Sequence, residues 1–227
     1  MTGAKSWDKN LAGYIDHTTL SPTTTDADVQ LVCEEAAHYG FAAVVVPPVY
    51  VLPAVNALTA LNVSTPVCSV VSFPLGFHSA PAKVDEAKRI IDSGATEVDM
   101  MMNVGAFLAG YHMAVRAEVE SVVGACKGRA LVKLIIETAY LDEPGIVAAT
   151  KIGVESGVDF VKTSTGFAPR GASENDVTLI KSACSDRVGI KAAGGIRDRQ
   201  CARRLIEAGA ARLGCSASVQ VVSLEGS

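Results

Sequence analysis

Hydrophobic positions in this chain recur with two different periods, and the two alternate along its length. Val29, Val32 and Ala36 fall on one face of a helix, as do Val84, Ala87 and Ile91. Val115, Val119, Val122 and Cys126 make a third helical stripe, and Val177, Ile180 and Cys184 a fourth. Between the stripes lie short apolar runs that read as strands: residues 14–18, 42–46, 66–73, 98–102, 131–137, 159–163, 188–193 and 211–215. Four of these runs follow a glycine that closes a helix, in Tyr39-Gly40-Phe41, Ser93-Gly94-Ala95, Ser156-Gly157-Val158 and Ala208-Gly209-Ala210. Glycine there takes the left-handed conformation that ends a helix at little steric cost. Helix starts are signalled by Ser173 with Asp176, a capping-box pair, and by Asp198 as an N-cap.

Strands that alternate with helices pair in parallel. Eight such units predict a (β/α)₈ barrel, and 227 residues lie within its usual range. The alternative is an open doubly wound sheet, whose first βα turn carries GxGxxG; this chain has no such motif. No linker or low-complexity segment breaks the pattern, so residues 1–227 read as a single domain.

Composition changes the picture in a few places. Hydrophobic residues make up 49% but aromatics only 5%, so Ala, Val, Leu and Ile must build the core. Net charge is −4 and no stretch carries a run of like charges, which argues against a nucleic-acid surface. Six cysteines are scattered without a CxxC pair, so neither a metal cluster nor a disulfide framework is expected. The first ten residues lack the apolar run of a signal peptide, and no apolar segment is long enough for a transmembrane helix. The expectation is a cytoplasmic protein with no membrane or nucleic-acid partner.

Several of the apolar runs carry a charge that a plain core would exclude: Asp16, Asp99, Lys133, Glu137, Lys162 and Lys191. Burying an ion is costly unless it is paired or does work. One such residue is more often a structural ion pair; six on successive strands point to a site, because barrel active sites gather at the C-terminal ends of strands. Lys162 and Lys191 lie on the sixth and seventh strands, within reach of each other. A cationic neighbour and poor solvation both disfavour a charged lysine, which frees an amine to attack a carbonyl and form an iminium. Asp99, on the fourth strand, can move the proton that aldol chemistry needs, directly or through water; its plainer role is to pair with a lysine.

The seventh run leads into Ala193-Gly194-Gly195-Ile196-Arg197, and the eighth ends Leu213-Gly214-Cys215-Ser216. Barrels often bind phosphate at these two loops. Gly194, Gly195, Gly214 and Ser216, with Thr165-Gly166 after strand six, therefore predict a phosphorylated small molecule. His17, His38, His78 and His112 form neither HxH nor HExxH, so no metal is expected, and no other cofactor.

These segments resemble the class I deoxyribose-phosphate aldolase family. The resemblance runs from Ile15-Asp16-His17-Thr18-Thr19-Leu20 to Arg212-Leu213-Gly214-Cys215-Ser216. It is carried by Phe73-Pro74-Leu75-Gly76, Glu97-Val98-Asp99, Lys133-Leu134-Ile135-Ile136-Glu137-Thr138, Val161-Lys162-Thr163-Ser164-Thr165-Gly166-Phe167 and Lys191-Ala192-Ala193-Gly194-Gly195-Ile196-Arg197. It implies reversible cleavage of 2-deoxy-D-ribose 5-phosphate to D-glyceraldehyde 3-phosphate and acetaldehyde. The family's Schiff-base lysine falls on Lys162, its perturbing lysine on Lys191, its proton-transfer aspartate on Asp99 and the partner of the second lysine on Asp16. Phosphate contacts fall on Gly166, Gly194, Gly195, Gly214 and Ser216. Association, as a homodimer, is also implied.

Two positions depart from the family pattern. Ala217 follows Ser216 where a second small polar residue is usual, and Val44-Val45-Val46-Pro47-Pro48 stands where members often read Cys-Val-Asn-Pro. Two other readings stay open: a Schiff-base aldolase with a ketose donor, and a non-catalytic sugar-phosphate-binding barrel.

Overall fold

The computed structural model describes residues 7–184 and 187–224. Part of the N-terminal segment read for a signal peptide, residues 1–6, lies outside them.

Eight strands close into a barrel in chain order: β1 Ile15–Thr18, β2 Ala43–Val46, β3 Val67–Val71, β4 Glu97–Met101, β5 Leu131–Ile135, β6 Phe160–Lys162, β7 Gly189–Ala193 and β8 Arg212–Cys215. Every neighbouring pair is parallel, and β8 closes on β1 through Ile15 opposite Leu213 and His17 opposite Cys215. The helices are α1 Lys9–Ala12, α2 Asp26–Tyr39, α3 Val51–Ala60, α4 Ala80–Asp92, α5 Val104–Leu108, α6 His112–Cys126, α7 Glu143–Ser156, α8 Glu174–Ala183, α9 Arg199–Ala208 and α10 Ser218–Val222. This is the (β/α)₈ barrel.

Local chemistry sets the helix limits. Thr25 with Asp28 and Ser173 with Asp176 form capping boxes that satisfy backbone donors at the starts of α2 and α8. Asp142 and Asp198 cap α7 and α9 by accepting from Gly145 N and Cys201 N. Gly40 and Gly157 end α2 and α7 in the left-handed region.

The apolar stripes face the barrel. Val29, Val32, Ala36, Val115, Val119, Val122, Cys126, Val177 and Ile180 are buried, while Val84 and Cys184, at the edges of their stripes, are half-buried. The core lies between the strands' outer faces and these helices. Inside the barrel the filling is different: Asp16, Asp99, Lys133 and Lys191 are fully buried there. Among the described residues, no helix is long and apolar enough to cross a membrane.

Candidate active site

The interior charges meet at a single carboxylate. Asp99, in the middle of β4, accepts from Lys162 Nζ at 2.7 Å and Lys191 Nζ at 2.8 Å, both on Oδ2, and from Lys133 Nζ at 3.0 Å on Oδ1. Parallel pairing makes this convergence natural, since Asp99 lies opposite Lys133 and Lys162 opposite Lys191. Asp16 Oδ2 holds Lys191 at 2.5 Å, and its other oxygen accepts from Arg212. Glu97 links Arg212, at 3.0 Å, to Lys133, at 2.6 Å. The Cys68 thiol lies 3.1 Å from Asp99 Oδ1.

These contacts decide the charge states. Burial alone would push Asp99 towards its neutral form, but Lys133, Lys162 and Lys191 outweigh it and hold the carboxyl well below its usual range. Burial likewise opposes the charge on Lys191, yet Asp16 and Asp99 more than offset it and raise its proton affinity. Lys162 goes the other way. Burial, supported by the Lys191 charge, overcomes the attraction of Asp99 and lowers its pKa below that of an ordinary lysine.

Exposure separates the three lysines. Lys133 and Lys191 are 0% exposed, whereas Lys162 is 3% exposed and lines a cavity of about 600 Å³ at the C-terminal end of the barrel. Gly166, Gly194, Gly195, Gly214 and Ser216 line the same cavity. Asp99, Lys191 and Asp16 are buried beneath Lys162 and do not line it. All nine residues singled out in the sequence are therefore in one region, in two tiers: an amine and a glycine-rich wall above, a charged cluster below.

The wall is built by close backbone approach. Gly194 has φ +88°, and a Cβ there would lie 3.0 Å from Gly171 Cα and 3.3 Å from Gly166 Cα. Two loops, one carrying Gly166 and Gly171 and the other Gly194, thus touch where a side chain would separate them. Gly214 has a further role, since a Cβ on it would stand 3.2 Å from Lys191 Cε; its smallness leaves room for the lysine stem. Glu137, just past β5 with φ +52°, accepts from Thr165 N at 3.0 Å and from the Thr165 hydroxyl, fixing the loop that carries Gly166.

Several functional groups escaped the sequence reading. Glu97 and Arg212 belong to the charged cluster, and Gly171 belongs to the loop contact. Glu97 had a signal: in a strand, positions two apart share a face, and Glu97 is two residues from Asp99. Arg212 stands likewise two before Gly214. His17 did not escape: its place near the end of the first strand allows it to line the pocket, and it lies on the cavity wall, bound to Glu35 at 2.6 Å and Ser218 at 2.8 Å. Burial lowers its proton affinity despite Glu35. Among the described residues no cluster of three or more His, Cys, Asp or Glu side chains is placed to hold a metal ion.

A model of the DeoC/LacD family of aldolases matches residues 11–217. The chain belongs to this aldolase family. It is similar to the deoxyribose-phosphate aldolase of Bacillus cytotoxicus, with 47% identity over 213 residues covering 94% of this chain and 95% of that protein. It is also similar to the deoxyribose-phosphate aldolase of Geobacillus sp. (strain WCH70), with 44% identity covering 95% and 96%. Among solved structures, the deoxyribose phosphate aldolase of Aeropyrum pernix, described as a tetramer, superposes with a TM-score of 0.86 at 35% identity, covering 94% of this chain and 89% of that one. The aldolase QR15 superposes with a TM-score of 0.88 at 37% identity, covering 93% and 94%.

Proposed function

We propose that this aldolase reversibly cleaves 2-deoxy-D-ribose 5-phosphate to D-glyceraldehyde 3-phosphate and acetaldehyde through a Schiff base on Lys162. One observation carries the reading: of the three lysines on Asp99, Lys162 alone lines the cavity, and it is also the one whose proton affinity is lowered. A neutral amine is the form that attacks a carbonyl.

The chemistry follows from that placement. Lys162 Nζ attacks the C1 aldehyde carbon, and the resulting carbinolamine loses water to leave an iminium. A proton leaves the C3 hydroxyl, C3 becomes a carbonyl, and the electron pair of the C2–C3 bond passes into the iminium to form an enamine. Asp99 lies beneath Lys162 rather than on the cavity wall, so it takes the C3 proton through a water. Glyceraldehyde 3-phosphate leaves, and the enamine is protonated at C2 and hydrolysed to acetaldehyde. Lys191 keeps Lys162 neutral, and Asp16 keeps Lys191 in place. The loops at Gly166, Gly194, Gly195, Gly214 and Ser216 hold the phosphate, supported by their shared cavity wall and their short backbone contacts.

The deoxyribose-phosphate aldolase activity of the relatives supports this substrate, and the location is proposed as cytoplasmic. A homodimer is the proposed assembly, to be read by light scattering; the Aeropyrum pernix relative is described as a tetramer. The test of function is turnover of deoxyribose 5-phosphate by the wild type and by Lys162→Ala. The wild type should release acetaldehyde and Lys162→Ala should not; a Lys162→Ala enzyme that kept most of the activity would refute the assignment. Replacing acetaldehyde by dihydroxyacetone phosphate in the synthetic direction separates this reading from a ketose-using aldolase.

A further inference from the structure

The charged cluster does not end at the residues that touch Lys162. Every strand except the apolar β2 contributes a titratable side chain to it: Asp16 from β1, Cys68 from β3, Glu97 and Asp99 from β4, Lys133 from β5, Lys162 from β6, Lys191 from β7 and Arg212 from β8. Burial pushes the Cys68 thiol up, so it stays neutral. What remains is four potential cations, Lys133, Lys162, Lys191 and Arg212, against three carboxylates, Asp16, Glu97 and Asp99.

A buried cluster with unequal charge is costly, and releasing one proton would balance this one. Arginine does not release its proton in proteins. A lysine must do so, and the contacts say which. Lys133 has Glu97 at 2.6 Å and Asp99 at 3.0 Å. Lys191 has Asp16 at 2.5 Å and Asp99 at 2.8 Å. Lys162 has Asp99 alone, through an oxygen it shares with Lys191.

We propose that Arg212 and Glu97, at the opposite end of the barrel from the cavity, set the charge balance that leaves Lys162 unprotonated. Both are first residues of their strands, and neither lines the cavity. Arg212 also lies over the Phe160 ring, 5.9 Å from its centroid, at the start of β6. They are positioning residues that act through Asp16, Lys133 and Asp99, not catalytic ones. The inference rests on Lys162 being the nucleophile.

The test is the pH dependence of kcat/KM with 2-deoxy-D-ribose, which has no phosphate to titrate. The acid limb reports the proton that must leave the free enzyme's amine. Arg212→Met leaves three lysines and three carboxylates, balanced with every group charged, so the acid limb should rise by about one pH unit. Glu97→Gln removes a carboxylate and should lower the limb. The double variant Arg212→Met with Glu97→Gln should return it to the wild-type position, and Arg212→Lys should shift it less than Arg212→Met.

A purely structural role would reduce rates without moving the limb in opposite directions. Limbs that stay fixed in both single variants, or that move the same way, overturn the proposal. If Arg212→Met fails to fold, Glu97→Gln decides alone, and a limb at or above the wild-type position overturns it. Borohydride trapping of wild type with acetaldehyde separates the two layers. No adduct on Lys162 refutes the nucleophile reading, whereas an adduct together with unmoved limbs refutes the charge-balance proposal alone.

Discussion

Replacing Lys191 by Met should disable the enzyme by protonating Lys162 rather than by removing a group from the cavity. The two ammonium groups bond the same Asp99 oxygen at 2.7 and 2.8 Å, so their nitrogens are at most about 5.5 Å apart. At an effective dielectric of about 20, two unit charges at that separation repel by about 3 kcal/mol. That corresponds to a shift of about two pKa units. Losing Lys191 also leaves more of the Asp99 charge to Lys162, which acts in the same direction. A raised amine pKa moves the acid limb of kcat/KM to higher pH, so activity on that limb should fall about 100-fold at a given pH and recover as the pH rises. Asp16 keeps Arg212 as a partner, so the variant should still fold. The assay is kcat/KM for 2-deoxy-D-ribose against pH, with circular dichroism as the folding control. A lower plateau with the acid limb unmoved would refute the argument that Lys191 works through the proton on Lys162.

Three other predictions follow from the geometry. Asp99→Asn should lower kcat by about 10²–10⁴-fold, the usual range for losing a proton-transfer group, measured by acetaldehyde release. Gly194→Ala places a Cβ 3.0 Å from Gly171 Cα at φ +88°, so the KM for deoxyribose 5-phosphate should rise more than the KM for deoxyribose. Lys83→Met leaves Glu118 without its partner at 2.7 Å between α4 and α6, and should cost about 3–5 kcal/mol in urea unfolding. Lys83→Met combined with Glu118→Leu should recover most of that loss.

The barrel was legible because its helical stripes and strand runs differ in period and alternate. The eight runs correspond to the eight strands, with ends off by one or two residues where backbone conformation overrides hydrophobicity. The run 66–73 stops at Val71 because Ser72 turns to φ +54°, and the run 131–137 stops at Ile135 before Glu137 turns to φ +52°. The charges inside these runs marked Asp16, Asp99, Lys133, Lys162 and Lys191 as unusual for a core. Their connectivity was not legible, because which lysine shares which oxygen depends on barrel closure and not on spacing along the chain. Arg212 is an example. It lies inside the run 211–215 without drawing attention there, and only the return of β8 to β1 brings it to Asp16. Nor could spacing show that Lys162 opens to the cavity while Lys191, next to it on β7, is sealed.

All of this chemistry depends on the Lys162 amine forming the Schiff base. Borohydride reduction in the presence of acetaldehyde, followed by intact and peptide mass spectrometry, tests it most directly. A reduced two-carbon adduct should appear on the peptide carrying Lys162, and none on Lys133 or Lys191. An adduct on another lysine, or an unmodified protein under conditions that label a known Schiff-base aldolase, would contradict it.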